Sequence, residues 1–224
     1  MPRPSLIAID GPVAAGKSTV GRILAQKLDY RFIDTGAMYR ALTWSALHRS
    51  INLADEKTVE KLAHDISIDI TSPAKEERFC PVFVDRYDVT TEIRSAEVEA
   101  GVSQVSRIAG VREALVAQQQ RIAEKGNIVM AGRDIGTMVL PQAELKIFLV
   151  ASAEERARRR YLEQLGQGKA AYQTILTELK RRDKIDTQRS LSPLHPAPDA
   201  KIINTDGVGP EEVMAQILTL IGES

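Results

Sequence analysis

The sequence predicts an α/β fold, a mainly parallel sheet with helices on both faces. Three observations carry that reading. Short apolar runs without helical period alternate with longer segments whose apolar residues recur at helical spacing. Each run ends at glycine or a polar turn, and the first leads through a glycine-rich loop straight into a helix. With 224 residues, 43% of them hydrophobic, the chain can build one substantial core, so residues 1–224 are expected to form a single domain.

The run Ser5 to Asp10 is stopped by Gly11 and Pro12 and reads as a buried strand. A helix is expected from Ser18 to Leu28, because Val20, Ile23, Leu24 and Leu28 share one face while Arg22, Gln26 and Lys27 occupy the other. Arg31 to Asp34 reads as a second strand, Ala37 to Arg49 as a second helix, and Asp55 as the cap of a third helix reaching Ala63. At Ile66, Ile68 and Ile70 the period changes to two. It returns around Val82 and Val84, beyond the polar, proline-containing stretch 71–78, so a small β-rich insert is expected at about 66–100. Helical patterning runs from Ala96 to Glu124 with a break near Gly110. Asn127 to Ala131 and Leu145 to Val150 read as buried strands, and Ser152 with Glu155 has the spacing of a capping box for the next helix. Gly166 to Gly168 mark a mobile connection, Lys201 to Asn204 a last strand and Glu211 to Ile221 a last helix.

Thirty basic residues balance thirty acidic ones, so affinity for anions must come from local clusters, and general nucleic-acid binding is disfavoured. The apolar runs are far shorter than a membrane span, and Asp10 and Lys17 interrupt anything like a signal peptide. One cysteine, Cys80, excludes an intrachain disulfide framework and suits a reducing compartment. A cytoplasmic protein without a membrane or nucleic-acid partner is expected, and a monomer.

The strongest local signal is the segment Gly11, Pro12, Val13, Ala14, Ala15, Gly16, Lys17, Ser18, with Thr19 following. It fits the P-loop pattern and lies between a predicted strand and a predicted helix, where backbone N–H groups at the helix start can curl around a phosphate. Lys17 would bridge phosphate oxygens and Ser18 would ligate Mg²⁺. A nucleotide phosphate with Mg²⁺ is therefore expected at the loop. The motif alone does not separate GTPases, ATPases and small-molecule kinases. No Asn-Lys-x-Asp guanine-reading sequence is present, and a kinase needs a second anion site.

Two groups of residues could supply that site. Arg133 and Asp134 fall in a turn at the C-terminal end of a predicted strand, where ligands bind in open α/β sheets, although a local salt bridge between them would explain the pair as well. Arg182, Asp186 and Arg189 share one face if a helix runs through them, which fits either a binding site or a solvated, internally paired surface. Arg156, Arg158, Arg159 and Arg160 form a dense basic patch, expected to belong to a lid at about 156–172 that brings arginine, Arg159 among them, over the transferring phosphoryl group. No Ser/His/Asp constellation or zinc-like spacing occurs, and His48, His64 and His195 are scattered. Phosphoryl transfer to a phosphate acceptor needs no protein nucleophile, only positioning and charge.

Several motifs in register resemble the bacterial cytidylate kinase family. They are Ile9 to Pro12, the P-loop, Asp34 to Arg40, Glu92 to Arg94, Ser103 to Val105, Val111 to Glu113, Gly132 to Thr137, Lys146 to Leu149 and Ser152 to Arg160. The resemblance implies a P-loop nucleoside monophosphate kinase fold with a parallel five-stranded sheet, a lid and an enlarged monophosphate-binding insert. It implies ATP-dependent phosphorylation of CMP and dCMP to CDP and dCDP in pyrimidine metabolism. Carried over by motif, Arg40, Arg133, Arg182 and Arg189 surround the acceptor phosphate and Thr35 lies near the nucleotide. Ser103, Arg112 and Asp134 read cytosine, and Asp186 meets the ribose hydroxyls. The whole-chain match favours these roles over the salt-bridge explanations. Catalytic stabilisation is expected from Lys17, Arg133, Arg159 and Arg182. The sequence departs from the family at Ala14, where glycine is usual, and at Asp85 to Asp88, where a glycine-containing turn is common. Two competing functions remain: a kinase for UMP or AMP, with different base-reading residues, and a catalytically silent nucleotide-binding module.

Overall fold

The computed structural model describes residues 3–73, 79–164, 171–188 and 192–222. Its centre is a five-stranded sheet in the order β2-β6-β1-β7-β8, formed by β1 (Leu6–Asp10), β2 (Arg31–Asp34), β6 (Ile128–Ala131), β7 (Leu145–Val150) and β8 (Lys201–Asn204). Every neighbouring pair is parallel. Parallel strands need crossover connections, and the helices that supply them cover both faces, which is why β6 is buried along its whole length. Ile7, Ile9, Ile33, Ile128 and Met130 lie in the centre at no more than 1% exposure. Burial of such side chains contributes about 1.5–3 kcal/mol each.

Helix α1 (Lys17–Leu28) follows β1, and α2 (Thr35–His48) starts on the last residue of β2, Asp34, whose carboxylate accepts from the Gly36 N–H at 3.0 Å. Helix α3 (Glu56–Asp65) is capped by Asp55 as its sequence predicts, through the Thr58 N–H at 3.2 Å. Ile66, Ile68 and Ile70 are all buried, and a second, antiparallel sheet is made by β3 (Ile68–Ile70), β4 (Val82–Val84) and β5 (Tyr87–Asp88). The turn between β4 and β5 takes positive φ at Asp85 (49°) and Arg86 (73°), the left-handed pair a tight hairpin requires. Glycine is absent there, but Asp85 is tied down by the Ser67 N–H at 3.2 Å and the Arg49 guanidinium at 2.9 Å.

Helices α4 (Ala96–Val105) and α5 (Ala109–Ala123) are the interrupted helical stretch expected from periodicity. The break falls at 106–108, just before Gly110, as expected. Gly110 sits in the first turn of α5 with the Glu60 side chain against it: a Cβ there would lie 2.0 Å from Glu60 Cδ. After β7 come α6 (Ala153–Gln164), α7 (Tyr172–Gln188) and, beyond β8, α8 (Pro210–Leu220). The expected capping box at α6 is only half formed. Ser152 Oγ accepts from Glu155 N–H at 3.1 Å, but the Glu155 carboxylate turns to Arg158 and Arg159, and Ser152 N–H donates to Asp206 at 2.9 Å. Helices α6 and α7 enclose a satellite core of Ala157, Ile175, Leu176 and Leu179, separate from the main one and touched by Val13. The connection at Gly166 to Gly168 lies outside the described residues, as do part of the expected lid and Arg189. Cys80 is a core residue, its thiol pushed up to about 12 mainly by burial.

Candidate active site

All five parallel strands end on the same edge of the sheet, and the candidate site is assembled from the loops and helix starts at that edge. After β1 the chain turns at Gly11 (φ 145°), where a Cβ would meet Leu149 O at 2.3 Å, so only glycine lets the loop pass β7. Ala14 (φ 61°) and Gly16 (φ 95°) adopt left-handed conformations as the loop curls. At Ala14 the departure from glycine carries backbone strain of about 1–3 kcal/mol. Gly16 caps α1 without a side chain, and no acidic residue lies in the first turn. The N–H groups of that turn and the positive end of the helix dipole therefore face the cavity, an arrangement suited to phosphate.

Lys17 reaches back across the loop, Nζ donating to Pro12 O at 2.7 Å. Burial and then Arg133 push its pKa down to about 7, against Asp34, Asp10 and Asp186. An anionic ligand would reverse that shift by supplying negative charge next to the ammonium. Asp10, the last residue of β1, is buried and accepts from the N–H groups of Ile135 and Gly136, both at 2.8 Å. Burial raises its pKa to about 6, more than those two hydrogen bonds lower it. The bonds hold a π-helical turn at Ile135–Val139, so the residues before it, Gly132 to Asp134, are fixed relative to the P-loop.

Ser18 Oγ donates to Asp34 Oδ2 at 2.7 Å, which sets a hydroxyl and a carboxylate side by side at the loop. Among the described residues no group of three or more His, Cys, Asp or Glu side chains could hold a metal. Mg²⁺ needs no such cage: it takes one or two hard protein oxygens and fills the rest of its shell with water and phosphate, and Ser18 with Asp34 fits that demand.

Beside the loop opens a cavity of about 240 Å³. On one wall Arg112 from α5 and Asp134 form a salt bridge at 7% and 9% side-chain exposure, with Ser103 of α4 and Tyr39 of α2 lining the same space. On the other, Arg133 pairs with Asp186 of α7, and that carboxylate raises the arginine's pKa although burial works against it. Arg133 and Asp134 thus do not pair with each other, and neither do Arg182 and Asp186. Arg182 instead meets Glu99 of α4, which also binds Arg40 at 2.5 Å. Thr35 lines the cavity too, its hydroxyl donating to Ala131 O at 3.0 Å.

A larger cavity of about 850 Å³ adjoins the other side of the loop and includes Thr19, Arg159 and the segment from Thr205 to Pro210 that comes after β8. Arg159 is held by the Glu155 carboxylate at 2.9 Å and by Thr205, and its Nη1 lies 4.0 Å from where a Gly16 Cβ would be. The other basic residues of α6 separate by role. Arg156 is buried in a bidentate pair with Asp183 of α7 and donates to Val13 O at 3.1 Å, tying α6, α7 and the loop together. Arg158 pairs with Glu155 on the exposed face. Arg160 faces Glu99 at 3.4 Å and lines both cavities.

The structure therefore gathers Val13, Ala14, Lys17, Ser18, Thr35, Arg40, Ser103, Arg112, Arg133, Asp134, Arg182 and Asp186 around one cavity, whereas Thr19 and Arg159 face only the larger one. Sequence reasoning missed Asp10, Asp34 and Glu99 as site residues. Asp10 and Asp34 stand at predicted strand ends, a signal that could have found them. Glu99 is one of several glutamates near the start of a helix and carries no such signal.

A model of the cytidylate kinase family matches residues 7–223. The chain is 49% identical over 217 residues to the cytidylate kinase of Bacillus licheniformis, covering 96% of this chain and 95% of that one. It is 48% identical over 216 residues to that of Bacillus subtilis, again covering 96% and 95%. Among solved structures, an uncharacterized protein from Eubacterium ventriosum superposes with a TM-score of 0.51 at 13% identity, covering 98% of this chain and 99% of that one, a likeness of fold.

Proposed function

The chain belongs to the cytidylate kinase family, and from that premise we propose that it transfers the γ-phosphoryl group of ATP to CMP or dCMP, with the residues just described in defined roles. The observation that carries the substrate reading is the buried Arg112–Asp134 pair beside an arginine cluster. Cytosine offers an amino donor next to ring acceptors, and a carboxylate beside a guanidinium presents the matching acceptor and donors. Ser103 lines the same wall.

In this reading the ATP phosphates lie on the P-loop and the α1 N-terminus, and the nucleoside extends into the larger cavity toward Thr205 to Gly209. Ser18, with Asp34 beside it, would hold Mg²⁺, which when bound neutralises charge on the donor phosphates. The acceptor monophosphate enters among Arg40, Arg133 and Arg182, with Asp186 close to the ribose. One of its oxygens attacks the γ-phosphorus in line, the bond from that phosphorus to the bridging oxygen breaks, and ADP leaves with the electron pair. The acceptor oxygen is largely deprotonated at neutral pH, so no protein base is required. Lys17, Arg133, Arg159 and Arg182 stabilise the charge spread over the transferring group. Cytoplasmic location and a monomeric state without nucleic-acid or membrane partners belong to the same proposal. Balanced charge supports it, and no helix among the described residues is long and apolar enough to cross a membrane.

A coupled ADP-release assay with CMP, dCMP, UMP and AMP tests the reading. Turnover with CMP and dCMP is expected, with kcat/KM for UMP lower by about five- to hundredfold, the cost of one buried hydrogen-bond mismatch. Equal use of all four nucleotides, or ATP binding without turnover, would overturn it.

A further inference from the structure

Three arginines from three separate helices converge on one carboxylate at the junction of the two cavities. Glu99 binds Arg40 of α2 at 2.5 Å and Arg182 of α7, with Arg160 of α6 at 3.4 Å. Burial opposes ionisation of Glu99, but Arg40, Arg182 and Arg160 outweigh it and hold the carboxyl down at about 2, so the group is a full anion at every working pH. Arg40 and Arg160 line both cavities, Arg182 lines the smaller one and Glu99 the larger, so the carboxylate holds the arginines from the side of the larger cavity.

We propose that Glu99 is a built-in counter-anion for the acceptor-phosphate site, engaging its arginines until the monophosphate takes them over and thereby setting the charge an acceptor must carry to bind. The proposal rests on the reading of this cluster as the acceptor-phosphate site. An isolated cluster of arginines in a half-buried cavity would repel itself and would bind any small anion. A fixed carboxylate relieves the repulsion, but it holds arginine hydrogen bonds that an incoming ligand must win. A phosphate monoester dianion carries more charge and three acceptor oxygens, and can outcompete one carboxylate; a singly charged anion is poorly matched to do so. Displacement is a population shift governed by the difference in affinity of the arginines for the two anions. Because the arginines come from α2, α6 and α7, the exchange also transfers the tie between these three helices from a protein anion to a substrate anion. Glu99 is thus a positioning residue that acts through the arginines and never touches the reacting atoms.

The test is orthophosphate binding to the nucleotide-free protein by calorimetry, together with KM and kcat for CMP, in wild type, Glu99→Gln and Glu99→Asp. Removing the internal competitor should tighten orthophosphate binding on the order of tenfold, the lower end of what charge-assisted hydrogen bonds give, since Glu99 is partly exposed. KM for CMP should fall in Glu99→Gln, and Glu99→Asp, which keeps the charge at shorter reach, should fall between the other two. A strut with no role in ligand exchange would give unchanged or weaker orthophosphate binding and a raised KM, and either result overturns the proposal. If Glu99→Gln does not fold, Glu99→Asp decides alone: orthophosphate affinity no tighter than wild type overturns the proposal. A wild type that does not use CMP would defeat the substrate reading, whereas the orthophosphate comparison needs no nucleotide and stands apart from it.

Discussion

Asp134→Asn isolates the group assigned to reading the base. The backbone around residue 134 should survive the change, because Met138 and Val139 N–H donate to its main-chain carbonyl and not to the side chain. The Arg112 partner keeps one oxygen to donate to, so the stability loss should be smaller than the roughly 3–5 kcal/mol of leaving a buried charge wholly unpaired. That leaves a folded enzyme if the parent has the usual reserve of about 5–15 kcal/mol. Specificity should change more. Both side chains of the pair are less than a tenth exposed, so water cannot repair a mismatch there. If Asp134 reads the base as proposed, UMP sets a carbonyl against the carboxylate in wild type at a cost of about 1–3 kcal/mol, which corresponds to a CMP preference of roughly five- to hundredfold. An amide can turn either a donor or an acceptor toward the base, so Asp134→Asn should bring the preference to within a few fold of unity. The assay is kcat/KM for CMP and UMP in both proteins, with melting curves to confirm folding. A wild type without preference, or a mutant that loses both substrates equally at an unchanged ratio, would refute the reasoning and leave Asp134 as the counter-ion of Arg112.

Lys17→Met should cut kcat by about 10²–10³, since in the proposed mechanism it removes a charge that stabilises the transferring phosphoryl group; near-normal turnover would remove the lysine from that mechanism. The same substitution should raise the melting temperature of the nucleotide-free protein at pH 6. Lys17 has a folded pKa depressed to about 7 from 10.5, so its burial penalty is complete below pH 7 and fades as pH rises toward 10. A gain that grows with pH would contradict the sign. Asp186→Ala should raise KM for CMP and change the CMP to dCMP ratio of kcat/KM; if neither moves, Asp186 does not read the ribose. Among the arginines of α6, Arg156→Ala should lower the melting temperature markedly, because it leaves Asp183 without its bidentate partner and cuts the tie to Val13, while Arg158→Ala should leave it unchanged. Equal effects would mean that burial does not separate their roles.

The features legible in the chain alone are local. The P-loop with its flanking strand and helix, the Asp55 cap, the five parallel strands and the period-two runs of the small sheet are contiguous signals, readable because hydrophobic periodicity and capping chemistry act within a few residues. The identities of most cavity residues were also within reach, through several motifs occurring in order. Tertiary structure decided how those residues are partnered. Arg133 could have paired with its neighbour Asp134, but the crossover from β6 to β7 and the placement of α7 bring Asp186 to Arg133 and α5 brings Arg112 to Asp134. Asp10 reaches residues 125 and 126 positions away only because β6 lies beside β1 in the sheet. The helix break at 106–108 is legible to within a few residues through Gly110, although the glycine itself lies in the first turn of α5. Glu99 carries no mark in the chain. A glutamate near the start of a helix looks like a dipole partner, and only the convergence of α2, α6 and α7 makes it the anion at the centre of the arginines.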